Sequence, residues 1–138
     1  MNNEIRIQAW ANVHFRLGCR AFADNQYGEA LNRFAKSAAL GHGEAAFRAG
    51  VMYNWGLGVP EDKQLARRYY LAAWNRGYKA AELLVNMVFA DGMEMIGEWE
   101  TAREWLAEER EKEIRRIEGL LAVGRKERGN ADGRQDDE

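Results

Sequence analysis

Apolar residues recur along this chain with the period of α-helices. Between Gly43 and Trp55, Ala46, Ala49, Gly50 and Tyr53 fall at i, i+3, i+4 and i+7, one face of a helix. The small residues on that face admit a close neighbour, and Tyr53 fills the wider gap beyond them. Gly56-Leu57-Gly58-Val59-Pro60 then ends the helix, because glycine just past a helix and proline soon after are stop signals. Glu61 and Asp62 suit the first turn of the next helix. That helix is predicted from about Asp62 to Arg76, with Leu65, Ala66, Tyr69, Tyr70 and Ala73 keeping the period and Gly77 ending it.

The same pattern returns when the chain is slid against itself by 36 residues. Ala30 falls on Ala66 and then Ala102; Arg33 meets Tyr69 and Trp105; Phe34 meets Tyr70 and Leu106. Gly41 meets Gly77, Tyr53 meets Phe89, and Gly56 meets Gly92. Small residues recur on small and large apolar ones on large, which is the mark of a repeated packing unit. Each unit reads as a helical hairpin. The loop of the first unit, at Asp24–Gly28, is shorter than that of the second, so Gly18 aligns with Gly50.

Ala49-Gly50-Val51-Met52-Tyr53-Asn54-Trp55-Gly56-Leu57-Gly58-Val59-Pro60-Glu61-Asp62, followed by Ala66 and Tyr70, resembles the Sel1-like repeat. Tyr27-Gly28-Glu29-Ala30-Leu31, with Phe34, Ala35 and Ala38, is similar to the related tetratricopeptide repeat (TPR). The resemblance covers roughly residues 10–107 and is most specific in the second unit. The third unit departs from it: Asn86 stands where Gly50 stood, and Met93-Glu94-Met95-Ile96 replaces the Gly-x-Gly-Val loop. The resemblance implies an all-α fold, a right-handed α-solenoid of about three hairpins. Proteins of this kind are often bacterial and act in signalling, secretion or host interaction.

A solenoid needs a polar outer face at its ends. One long capping helix is predicted at about 98–123. Its first half packs through Trp99, Ala102, Trp105 and Leu106, and its second half carries Ile114, Ile117, Leu120 and Leu121 as a narrow apolar strip. Between them, 107–113 is almost wholly polar, so the helix either leaves the body there or faces water all round. From Arg125 onward the chain is mostly charged with no large apolar residue, and a disordered tail is expected. The domain reading is therefore a helical repeat domain at 1–124 and a tail at 125–138.

Composition narrows the function. Lys and Arg total 20 against 22 Asp and Glu, a net charge of −2, which lacks the basic footprint of a nucleic-acid binder. Glu4, Arg6 and Gln8 interrupt the start, so no secretory leader is expected, and no apolar run reaches a membrane-spanning length. With Cys19 as the lone cysteine, no internal disulfide is possible, and a cytoplasmic location is expected.

Reactive groups are scarce. The only histidines, His14 and His42, are read as a half-buried helix residue and a turn residue, and the single cysteine leaves no zinc set. Ser37 and Thr101 have no histidine nearby in sequence, and Gly56-x-Gly58 lacks the following Lys-Ser/Thr of a phosphate loop. No catalysis, cofactor or metal is expected.

The resemblance implies that the first helix of each hairpin lines a concave surface. Outside the core positions, that surface carries Asn12, Arg16 and Arg20 from the first unit, Glu44, Arg48 and Trp55 from the second, and Leu84 and Met87 from the third. Two arginines beside apolar side chains suit an acidic peptide segment. The expected function is non-catalytic protein binding, as an adaptor or scaffold. An inhibitor or immunity-type protein that masks an effector, and a homodimer formed through the C-terminal helix, are the alternatives.

Overall fold

The computed structural model describes the backbone of residues 3–88 and 92–136, and the side chains of 3–82, 85 and 100–124. Among the described residues the chain is all-helical, with six helices: α1 Asn3–Ala23, α2 Tyr27–Ala39, α3 Gly43–Trp55, α4 Lys63–Asn75, α5 Lys79–Val88 and α6 Gly92–Asp136. α1 pairs with α2 and α3 with α4; α2 meets α3, and α4 meets α5.

Local chemistry sets these boundaries. α3 is capped by His42, whose Nδ1 accepts the Ala45 N–H at 3.1 Å. It stops at Gly56, which takes the left-handed conformation at φ 68° and leaves its N–H to the Met52 carbonyl. α4 is capped by Asp62, whose Oδ1 accepts the Leu65 N–H at 3.0 Å.

The α1–α2 and α3–α4 hairpins are each closed by a glycine set against an aromatic ring. A Cβ at Gly18 would lie 2.7 Å from two ring carbons of Phe34, and a Cβ at Gly50 would lie 2.7 Å from two ring carbons of Tyr70. The two crossings therefore use the same device at equivalent positions. The core between them holds Phe34, Leu31, Ala45, Ala49, Met52 and Ala73, all buried. Met52, on the side of α3 opposite the Gly50 crossing by helical spacing, is only 1% exposed. α3 lies between α2 and α4 and so buries two faces, where a hairpin alone would bury one.

α6 differs most from expectation. It starts at Gly92, so Met93–Ile96 belong to the helix and form no loop. Met and Glu favour helix, and no Gly-x-Gly turn interrupts them. The helix does not stop on the last hairpin. Trp105 meets Tyr69 edge-on at 4.9 Å, and farther along Ile114 and Ile117 pack with Ile7, Trp10, Ala11 and Leu40. α6 thus runs from α4 past α2 to α1, and the polar stretch 107–113 stays on the body. Its backbone remains helical through Asp136, where a disordered tail was expected. Lys, Arg, Glu and Ala dominate the start of that stretch and no proline breaks it. Phe89, matched to Tyr53 in the repeat, lies outside the described residues.

Candidate protein-binding groove

An open cavity of about 250 Å³ lies where α1, α2 and α3 converge beside Tyr78, the residue before α5, lined by Phe22, Phe34, Phe47, Arg48, Val51, Met52 and Tyr78. Its walls come from three helices because the aromatic positions of each hairpin face the next. The Phe47 and Tyr78 rings meet at a tilt of 49° with centres 5.2 Å apart, and Phe22 leans on Tyr27 at 5.1 Å.

Arg48 is the one charged side chain of this lining. Its Nη2 donates to Glu44 Oε1 at 3.1 Å, one turn back on α3. Its guanidinium carbon sits 5.6 Å from the Phe15 ring centre and 5.9 Å from that of Phe34. Nε, buried beneath these rings, has no hydrogen-bond partner among the described residues. Cation–π attraction and the Glu44 pair together fix the direction of Arg48. The pair is partly exposed and contributes well under about 1 kcal/mol. The site can hold one large apolar side chain beside an already neutralised cation.

Of the residues expected on the concave surface, the structure joins Glu44 to Arg48. Asn12, Arg16 and Arg20 are exposed on α1, and none takes part in the hydrogen bonds or ring contacts of Arg48. Trp55 is 69% exposed at the end of α3, where Lys63 Nζ lies 5.5 Å above its ring. The side chains of Leu84 and Met87, on α5, lie outside the described residues. The sequence reading missed Phe22, Phe47 and Tyr78. Tyr78 lies just before α5, and Phe22 and Phe47 stand at different register positions of α1 and α3, so no repeated pattern marked them.

A second polar constellation sits under α6. His14, expected to be half-buried, is 1% exposed. Arg33 Nη1 donates to its Nδ1 at 3.2 Å, which assigns the neutral ring's proton to Nε2. Nε2 faces Glu113 Oε1 at 3.4 Å, within ion-pair range but short of hydrogen-bond geometry. Glu113 is held in turn by Arg116, whose Nε donates to Oε2 at 3.0 Å. Burial pushes the His14 pKa below its ordinary value, against the opposing pull of Glu113, and Arg33 and Lys36 lower it further. Beside it, Ser37 Oγ donates to the Ala11 carbonyl at 2.6 Å. These groups tie α1, α2 and α6 together, and the ring is closed to solvent. Cys19 is half-buried against the core. Among the described residues, no group of three or more His, Cys, Asp or Glu is placed to hold a metal ion. Among them, too, no helix is long and apolar enough to cross a membrane.

No protein-family model matches the chain, and no solved structure matches it. Among curated proteins it is similar to the chitin synthase regulatory factor 4 of Schizosaccharomyces pombe, with 40% identity over 68 residues. That stretch is 49% of this chain, and it spans 11% of the length of the yeast protein.

Proposed function

We propose that this chain is a non-catalytic protein-interaction module, a right-handed stack of about three Sel1-like hairpins that takes a segment of a partner protein into the groove at Arg48. The observation that carries this reading is the open aromatic cavity with one oriented arginine, lined by Phe22, Phe34, Phe47 and Tyr78. The matched Gly18–Phe34 and Gly50–Tyr70 crossings support the repeat. The name of the yeast relative, a regulatory factor, supports a role exercised through another protein. In this reading the module works in the cytoplasm.

The partner segment brings a large apolar side chain for the cavity. An acidic residue beside it competes with Glu44 for Arg48, so the apolar anchor outweighs the acid. A displayed peptide library selected on the full chain tests this. The expected result is enrichment of segments with one aromatic or long aliphatic anchor. Their binding falls at least about tenfold in Arg48→Glu and in Tyr78→Ala, with circular dichroism confirming that both variants stay folded at the assay temperature. Selected segments that bind both variants as well as the parent chain contradict the reading.

A further inference from the structure

The repeat register exposes a second surface, on the outer face of α1. The equivalent crossings at Gly18 and Gly50 set α1 and α3 in register. In that register Val13 corresponds to Ala45, Leu17 to Ala49 and Arg20 to Met52. On α3 these three positions are 0%, 0% and 1% exposed, buried in the core that α3 shares with Leu31, Phe34 and Ala38 of α2. On α1 no described helix lies in the place that α2 occupies for α3. Val13 and Leu17 are each 36% exposed, and Ala9 is exposed beside them. The chain keeps large aliphatic residues at positions whose counterparts form a helix–helix seam.

Charge selects what covers this face. Arg6, Arg16 and Arg20 lie on the same side of α1 as Val13 and Leu17 by helical spacing, and all three are exposed. None forms an ion pair with a described residue, although the chain as a whole carries a net charge of −2. A second copy pairing its own α1 here in antiparallel fashion sets Arg6 near Arg20 of the other chain, which like-charge repulsion disfavours. An acidic partner gains where a second copy loses.

We propose that the outer face of α1 is a docking site for an amphipathic helix of another protein, whose apolar stripe seats on Val13 and Leu17 and whose flanking Asp or Glu residues meet Arg6, Arg16 and Arg20. It continues the α2–α3 seam by one helix and does not depend on the groove at Arg48.

The test uses the full chain and a displayed library of amphipathic helices with a fixed apolar stripe and flanks randomised between Glu and Lys. Glu-flanked helices are expected to be enriched. In fluorescence anisotropy their affinity falls at least about tenfold in Val13→Glu/Leu17→Glu, falls in Arg16→Glu/Arg20→Glu, and weakens as salt rises from about 50 to about 500 mM. Arg48→Glu leaves it unchanged, which separates this site from the groove. Circular dichroism confirms that the variants fold, as expected for exposed positions. No enrichment, or enrichment of Lys-flanked helices, overturns the proposal. So does concentration-dependent dimerisation that Val13→Glu/Leu17→Glu abolishes, since the occupant is then a second copy.

Discussion

Gly50→Ala tests how closely α3 and α4 approach. The added Cβ would lie 2.7 Å from Tyr70 Cδ1 and Cε1 and 3.3 Å from the Ala66 carbonyl oxygen. Carbon atoms pack best at about 3.5–4.0 Å, so the helices must part by close to 1 Å or the ring must turn. Tyr70 is 4% exposed and its ring sits 6.0 Å from that of Phe47, which leaves it little room. Overpacking of this kind costs about 1–3 kcal/mol. Replacing a helical glycine by alanine returns about 1 kcal/mol. The net expectation is a loss of about 1 kcal/mol. Gly119 supplies the comparison, because it lies within α6 and a Cβ there meets nothing within 4 Å. Gly119→Ala therefore gains up to about 1 kcal/mol from propensity alone. Urea unfolding read by circular dichroism, with m-values checked for constancy, measures both. In a Tyr70→Leu background the cost of Gly50→Ala should shrink, and the double-mutant cycle gives the coupling directly. Stabilisation by Gly50→Ala equal to that by Gly119→Ala would refute the close crossing and, with it, the equivalence of the two hairpins.

Three further outcomes follow from the structure. Leu71, 0% exposed, anchors the core of the second hairpin, and Leu71→Ala should cost about 2–5 kcal/mol in urea unfolding. Asp62→Ala removes the N-cap of α4 and should cost about 1 kcal/mol, whereas Asp62→Asn, which keeps the acceptor, should cost less. Acid should weaken the fold through His14 and His42, since burial holds both below their ordinary value of 6.5 and the fold favours the neutral rings. The unfolded chain takes up these protons first, so this contribution is whole above about pH 6.5 and is lost as the pH falls below it. Urea midpoints between about pH 7.5 and pH 5 should decline in the parent chain and flatten when His14→Gln and His42→Gln are combined.

The hairpins were legible in the sequence because their signals are local. Helical spacing and the Gly56-x-Gly58-x-Pro60 stop set α3 at Gly43–Trp55, and the small residues Gly18 and Gly50 marked the crossings. The path of α6 was not legible. It depends on the pairing of Glu113 with His14 and of Ile114 and Ile117 with Trp10 and Ala11, all contacts between opposite ends of the chain. No local pattern tells a solvated acid in a charged helix from one that seats on a buried histidine. The groove was half legible. Arg48 was found by its spacing, but the aromatic residues around it are assigned by how three helices converge, which no single helix face records. Trp55 and Lys63 come together across the α3–α4 turn, so the tryptophan lies at the edge of the fold and not over Arg48.

Photocrosslinking from within the groove tests the central claim most directly. A benzophenone amino acid replaces Val51, which lines the cavity, and in a second chain replaces Gln64, which is exposed on α4. Each chain is irradiated with a segment selected on the parent protein, and the adducts are mapped by mass spectrometry. The account predicts an adduct from position 51 at the apolar anchor of the segment and none from position 64. Adducts from position 64 with none from position 51 would contradict it and move the binding surface off the Arg48 groove.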